Sequence, residues 1–288
     1  MAPGAHSERA ASPRPGSAGA VVSCVPYPAL SVTGALCAKD CAHCGGRFLK
    51  GMADASSPAL LHGSAAAAKA SGRAGVLLSG GCDDGWRVPV SPEACAAASG
   101  MGLDANVHAG FAPESGIAGM VAAGARVFSV DVHQDPEVIR GVLGSDRRPG
   151  DYGALIRSIL SAGGVPVPHV TAGLGERDLL ESASLLRSMG FRRAVLLGLV
   201  PSGRARFSGP SVPSAVELLG SMGIEAALGC MRDRSSRSME RECIERGARL
   251  IANMSPRTAE WARGSGFAVE EDPRCCCMPL SEKGLFGL

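Results

Sequence analysis

Three cysteines of the chain, Cys37, Cys41 and Cys44, fall within eight residues in the spacing C-x3-C-x2-C. Thiolates grouped this tightly on a short segment are metal ligands, and three of them leave one coordination position for something else. Two chemistries fit. A cubane [4Fe–4S] cluster can be held through three of its irons by such a loop, with the fourth iron open to a small molecule. A zinc ion would need a fourth ligand, which His43 or a distant residue could supply.

Further residues could serve the same centre or another. Cys82 follows Ser79-Gly80-Gly81, Cys230 follows Leu228-Gly229, and Cys275-Cys276-Cys277 stand together near the end of the chain. These five are further candidate thiol ligands. One or two of the last three would take part, because the side chains of consecutive residues diverge. Cys24, Cys95 and Cys243 read as small core or helix-face residues, where a free thiol packs as a modest hydrophobe. Asp131 and His133 close an apolar run, and Gly173-Leu174-Gly175-Glu176 opens a helical one, where Glu176 would favour the helix dipole.

The elements that must position these residues alternate. Short β-branched or Leu-rich runs at 29–33, 75–79, 103–108, 126–131, 165–170, 194–199, 225–228 and 249–251 read as strands. Stretches near 54–72, 91–99, 114–123, 151–162, 175–189, 212–222, 235–246 and 256–264 read as helices. Eight such units over this length predict an α/β fold, a (β/α)8 TIM-type barrel, with a doubly wound open sheet as the alternative. In either fold, function gathers where strands end, and the cysteine loop follows the first strand. Residues 1–20 read as a flexible tail, 21–265 as the barrel domain and 266–288 as a cysteine-containing tail whose thiols could fold over the barrel mouth.

Composition narrows the function. With 288 residues, a net charge of +2 and 4% aromatic residues, the chain lacks the basic stripe or stacking platform of a nucleic-acid binder. No apolar run reaches the roughly 18 residues of a membrane span, and the N-terminus lacks the apolar core of a secretory signal. Grouped thiols without an export route imply a reducing compartment, so a cytoplasmic location is expected.

The cysteine loop resembles that of the radical S-adenosylmethionine (SAM) superfamily, in spacing and in its place after the first strand of a barrel. Ser79-Gly80-Gly81 looks like that superfamily's glycine-glycine-acid motif, with Cys82 in place of the acid. The run from Phe128 to Glu137 is similar to the stretch of biotin synthase that binds SAM, with Asp131 and His133 at its two polar positions. Gly173-Leu174-Gly175-Glu176 matches a run found in biotin and lipoyl synthases. Ser31-Val32-Thr33-Gly34, residues 41–52 and Leu228-Gly229-Cys230-Met231-Arg232 look like a biotin-synthase-related group that includes a subunit of the two-protein lipoyl synthase of archaea.

The resemblance implies a [4Fe–4S] cluster on Cys37, Cys41 and Cys44, and SAM seated by His43, Ser79, Gly80, Gly81, Asp131, His133 and Glu176. It implies cleavage of SAM, hydrogen abstraction from an unactivated C–H bond, and sulfur insertion with a second cluster as donor. The implied partners are an electron donor such as ferredoxin or flavodoxin, a second radical SAM subunit and an octanoyl-carrying protein. That carrier would dock on the arginine-rich stretch that includes Arg237 and Arg241. Two alternatives stand beside this one: a radical SAM cofactor-maturation enzyme without sulfur insertion, and a non-catalytic zinc protein.

Overall fold

The computed structural model describes residues 19–200, 204–206, 208–282 and 285. Eleven strands form one sheet: β1 Ala20–Cys24, β2 Ala29–Ser31, β3 Ala53–Asp54, β4 Gly75–Ser79, β5 Asp104–Val107, β6 Val127–Asp131, β7 Val165–Ala172, β8 Arg193–Gly198, β9 Glu225–Leu228, β10 Leu250–Ala252 and β11 Ala268–Asp272. All neighbouring pairs are parallel, in the order β11-β1-β10-β9-β8-β7-β6-β5-β4-β2-β3. β2 and β4 to β10 are the expected strands. The expectation of eight is corrected to eleven by β1, β3 and β11, and the sheet's two edges, β3 and β11, are not paired with each other. β3 has only two residues, and β11 reads AVEED, an edge strand with no apolar run to signal it.

Chain connectivity shows that the sheet curls. β1 and β2 lie eight places apart in the strand order, which in a flat sheet is about 38 Å at ~4.8 Å per strand. Only residues 25–28 join them, and five Cα–Cα steps reach about 18 Å at most. The ends of the sheet are therefore drawn together into a seamed barrel. Tyr27, in that link, donates its hydroxyl to Asp104 Oδ2 at 2.7 Å at the start of β5.

Helices α1 Pro58–Ala70, α2 Pro92–Gly100, α3 Glu114–Ala122, α4 Pro149–Ser161, α5 Glu176–Ser188, α6 Val212–Ser221, α7 Met239–Glu245 and α8 Pro256–Gly264 follow the strands as their amphipathic sequences predict. Three start with a Ser-Pro pair, at Ser57, Ser91 and Ser255. Each serine accepts a backbone N–H three residues on, while proline's missing N–H costs nothing in the first turn. Pro166 and Pro168 inside β7 are tolerated because β7 pairs with β8 only from His169 onward.

Strand register sets the inner face. Paired positions Leu77, Asn106 and Val127 point the same way, as do Ser129 with Val167 and Asp131 with His169. The segment expected as a tail beyond the barrel is instead part of it. After β11, the chain turns so that Asn106 Nδ2 lies 3.7 Å from Cys275 Sγ, and Cys277 Sγ lies 3.6 Å from Ser129 Oγ and 3.7 Å from His169 Nε2. Helix α9 Cys277–Glu282 then packs on β6, β7 and β8, and Leu285 O accepts Arg192 N at 2.7 Å. Residues 275–282, with Leu285, enter the bore of the barrel, so the thiols of 275–277 do not fold over the mouth. Burial of Cys277 and Leu280, with Leu285, holds them there.

Candidate metal centre

The cysteine loop leaves β2 through a turn in which Ser31 Oγ donates to Gly34 O at 2.6 Å and Thr33 Oγ1 accepts Gly81 N at 2.7 Å. The loop is tied to three neighbours. Ala38 N donates to Cys82 O, Ala42 N donates to Val142 O, and Ala205 N donates to Ala42 O. Arg204 forms an ion pair with Asp40 and also donates to Cys41 O at 3.2 Å. The Arg204 guanidinium holds the Asp40 carboxyl below its ordinary range. These bonds fix a loop that has no helix or strand of its own.

Cys41, His43 and Cys44 bring their ligand atoms within 4.8 Å of one another. A hydrogen bond from Cys41 pulls the Cys44 thiol down to about 4, with help from His43, while Cys41 is pushed up by the same bond and by burial. The two thiols are thus pushed in opposite directions, Cys44 toward the thiolate, the metal-binding form. Cys37 stands outside the trio, and Cys41 and Cys82 both feel its charge. His43 Nδ1 is buried without a hydrogen-bond partner among the described residues, which is costly unless a ligand satisfies it. A soft donor set of three thiols beside an unsatisfied imidazole fits an iron–sulfur cluster or zinc.

The Ser79-Gly80-Gly81-Cys82 turn lies directly against this loop. A Cβ on Gly81 would strike Leu36 O and stand 2.7 Å from Cys37 Cβ, so only glycine lets the two segments touch. Cys82 packs against the small cluster of Cys41, Trp86 and Leu143 and also borders the main core that holds the thiols at the chain end. Burial first, then the charge of Cys37, pushes the Cys82 thiol up to about 12.

Below the loop, the inner face carries a polar row. Ser79 Oγ lies 3.5 Å from His108 Nδ1, and His108 Nε2 lies 3.2 Å from Asp131 Oδ2. Burial would raise the Asp131 carboxyl, but His108 outweighs it and holds it well below the usual range. His108 rises for the reciprocal reason, burial being overcome by Asp131. Burial drives His169 down to about 4, so that ring is neutral.

His133 turns away from this row. Its Nδ1 pairs with Asp178 Oδ2 at 2.8 Å, and Asp178 Oδ1 accepts Gln134 N at 2.7 Å and Asp135 N at 2.9 Å. Both side chains are under 7% exposed, and Tyr152 meets His133 edge-on. Asp178 holds the strand end through its first-turn position in α5. Glu176 is exposed at the start of that helix.

A second group of thiols assembles in the bore. Cys275, Cys276 and Cys277 are buried, and Cys276 lies in the electrostatic range of Cys275, Cys230 and Cys24. Cys24 points inward with Val22 by strand alternation. Its expected role as core filler is therefore joined by a place among thiols, whereas Cys95 and Cys243 are fully buried helix residues as read. Arg241 stacks on Trp261, 5.8 Å from the ring centroid, while Arg237 lines a cavity of about 210 Å³ with Arg234 and Arg257.

His108, Asp178 and Arg204 were not singled out from sequence. His108 was discoverable, because it closes a strand two residues after Asn106 on the same face. Asp178 and Arg204 gave no such signal, since their partners lie 45 and 164 residues away.

No family model matches the chain, and no curated protein matches it. Solved structures share its fold, that of curled parallel α/β barrels. A maturase of the [FeFe]-hydrogenase, HydG, is 13% identical with a TM-score of 0.62, over 93% of this chain and 67% of that one. Streptococcus suis SuiB bound to S-adenosylmethionine is 12% identical with a TM-score of 0.51, over 73% of this chain and 51% of that one. An HMG-CoA lyase from Brucella melitensis is 13% identical with a TM-score of 0.52, over 93% of this chain and 97% of that one. The fold thus hosts several chemistries, and the choice among them rests on the site. No helix among the described residues is long and apolar enough to cross a membrane.

Proposed function

We propose that the protein is a radical SAM enzyme in which Cys37, Cys41 and Cys44 hold a [4Fe–4S] cluster. The observation that carries the reading is the C-x3-C-x2-C loop at the C-terminal end of β2, with the Ser79-Gly80-Gly81 turn pressed against it. The likeness to SuiB, solved with SAM, supports it at the level of the fold. When bound, the cluster supplies the electron that cleaves SAM to a radical able to take hydrogen from an unactivated C–H bond. Ser79, Gly80, Gly81 and Asp131, with Glu176 and His43, are proposed to seat SAM. His108 joins them, because it links Ser79 to Asp131. His133, paired inside with Asp178, would steady the strand end that carries Asp131.

The finer reading is sulfur insertion on an octanoyl chain presented by a carrier protein, with ferredoxin or flavodoxin as reductant and a second radical SAM subunit as partner. The thiols gathered in the bore favour it, since Cys277 lies beside His169, next to Asp131 in the sheet. A zinc site is the rival, favoured by the tight Cys41, His43 and Cys44 trio. Anaerobically reconstituted protein incubated with SAM and dithionite decides between them. The reading predicts 5′-deoxyadenosine from the native protein and none from Cys41→Ala; a colourless, zinc-loaded protein that forms none would overturn it.

A further inference from the structure

Cys82 stands where sequence resemblance leads one to expect an acid, and the structure gives it different company. Its carbonyl accepts Ala38 N at 2.8 Å, between Cys37 and Cys41, and its side chain packs against the cluster of Cys41, Trp86 and Leu143, as does Cys44. This placement is built into the turn. Asp83 Oδ1 accepts Gly85 N at 2.8 Å and Arg87 N at 3.0 Å, which closes the chain just beyond Cys82. Trp86 is held at φ 62°, a left-handed conformation that a bulky residue adopts only when its surroundings enforce it. Lys39, from the cysteine loop, reaches across to Asp84 O at 2.8 Å and covers the Trp86 ring. Two segments are thus clasped from both sides, and Cys82 comes to lie beside the loop that carries the other three thiols.

We infer that Cys82 is a fourth ligand of the cluster held by Cys37, Cys41 and Cys44, occupying its open iron until SAM displaces it. The inference rests on the radical SAM reading. A cubane has four irons, each completed by one outer ligand, and a fourth thiol in the same pocket matches that need. The displacement is a ligand substitution without electron transfer. The iron–sulfur bond to Cys82 would break with its electron pair left on sulfur, and that sulfur would take up the proton that the SAM ammonium group gives up, freeing the amino nitrogen and the carboxylate to take its place. The capped state would shield the iron when SAM is absent and would weaken apparent SAM binding by the fraction of protein in which the cap is closed.

The test uses the full chain, reconstituted anaerobically without SAM and titrated with ferricyanide. An open iron is lost on oxidation: ferricyanide accepts one electron, one ferrous ion leaves, and a three-iron cluster countable by electron paramagnetic resonance remains. The inference predicts about four irons per first centre in both the native protein and Cys82→Ala, with a several-fold higher three-iron yield in the variant. It also predicts SAM binding about tenfold tighter in Cys82→Ala, with Cys82→Ser in between. Should Cys82→Ala fail to fold, as circular dichroism would report, Cys82→Ser carries the comparison. Equal three-iron yields and equal SAM affinity would overturn the inference and leave the radical SAM reading standing. Native protein that takes up no iron would overturn both, and does so before any variant is compared.

Discussion

Two groups of thiols share one barrel and are built in opposite ways. The loop group, Cys37, Cys41 and Cys44 with Cys82, sits on short local segments at the strand ends, clasped by backbone hydrogen bonds. The other group, Cys24, Cys275, Cys276 and Cys277 in the bore with the exposed Cys230 at the end of β9, is assembled from distant parts of the chain. The first takes the spacing of three of its thiols from one short loop, held in place by partners as far away in sequence as Arg204. The second exists only because the sheet curls and the last helix enters it.

The largest effect should come from the loop group. Cys44→Ala should abolish 5′-deoxyadenosine formation while leaving any metal in the bore in place; retained activity would break the assignment. Cys276→Ser should do the reverse, sparing SAM cleavage and lowering the iron content only if the bore binds a second cluster. Metal analysis of the two variants side by side reads both outcomes.

Asp178→Asn comes next, since it leaves His133 facing a weaker partner inside the protein. Breaking a buried pair of this kind costs about 3–5 kcal/mol, read by chemical denaturation. The pair also sets a pH window. His133 is raised in the fold, with burial outweighed by Asp178, so its contribution is full below about 6.5 and fades as pH rises through the folded value. Asp178 is lowered, with burial outweighed by His133, so its contribution is full above about 4 and fades on acidification. Stability of the native protein should therefore fall on both sides of that window, and Asp178→Asn should flatten both limbs.

Gly81→Ala should push the Ser-Gly-Gly turn off the cysteine loop. We expect about 1–3 kcal/mol of destabilisation together with reduced cluster loading, a combination that the bore thiols would not share. Ser255→Ala, which removes a helix cap remote from both groups, should cost about 1 kcal/mol and change neither metal content nor activity.

Legibility in the sequence followed the same division. Strands β2 and β4 to β10 and helices α1 to α8 were visible because their apolar periods are local and their boundaries carry Gly, Pro and Ser-Pro signals. β3 and β11 were hidden, one by its two residues and the other by an acidic edge sequence. The cysteine loop was legible from spacing alone. The grouping of Cys82 with that loop was not, because it depends on Gly81 letting two segments touch. Nor was the inward course of residues 275–282, which follows from a barrel bore that Cys277, Leu280 and Leu285 can fill. His133 and Asp131, two residues apart on one run, go to different partners because Asp178 waits on the neighbouring helix.

The most direct test of the central claim is the iron and acid-labile sulfide content of anaerobically reconstituted protein, native beside a variant with Cys37, Cys41 and Cys44 all replaced by alanine. The account predicts a loss of about four irons and their sulfide per chain, to near zero if the loop alone binds a cluster and from about eight to about four if the bore binds another. Native protein that holds zinc and no iron, or a variant with undiminished iron, would contradict it.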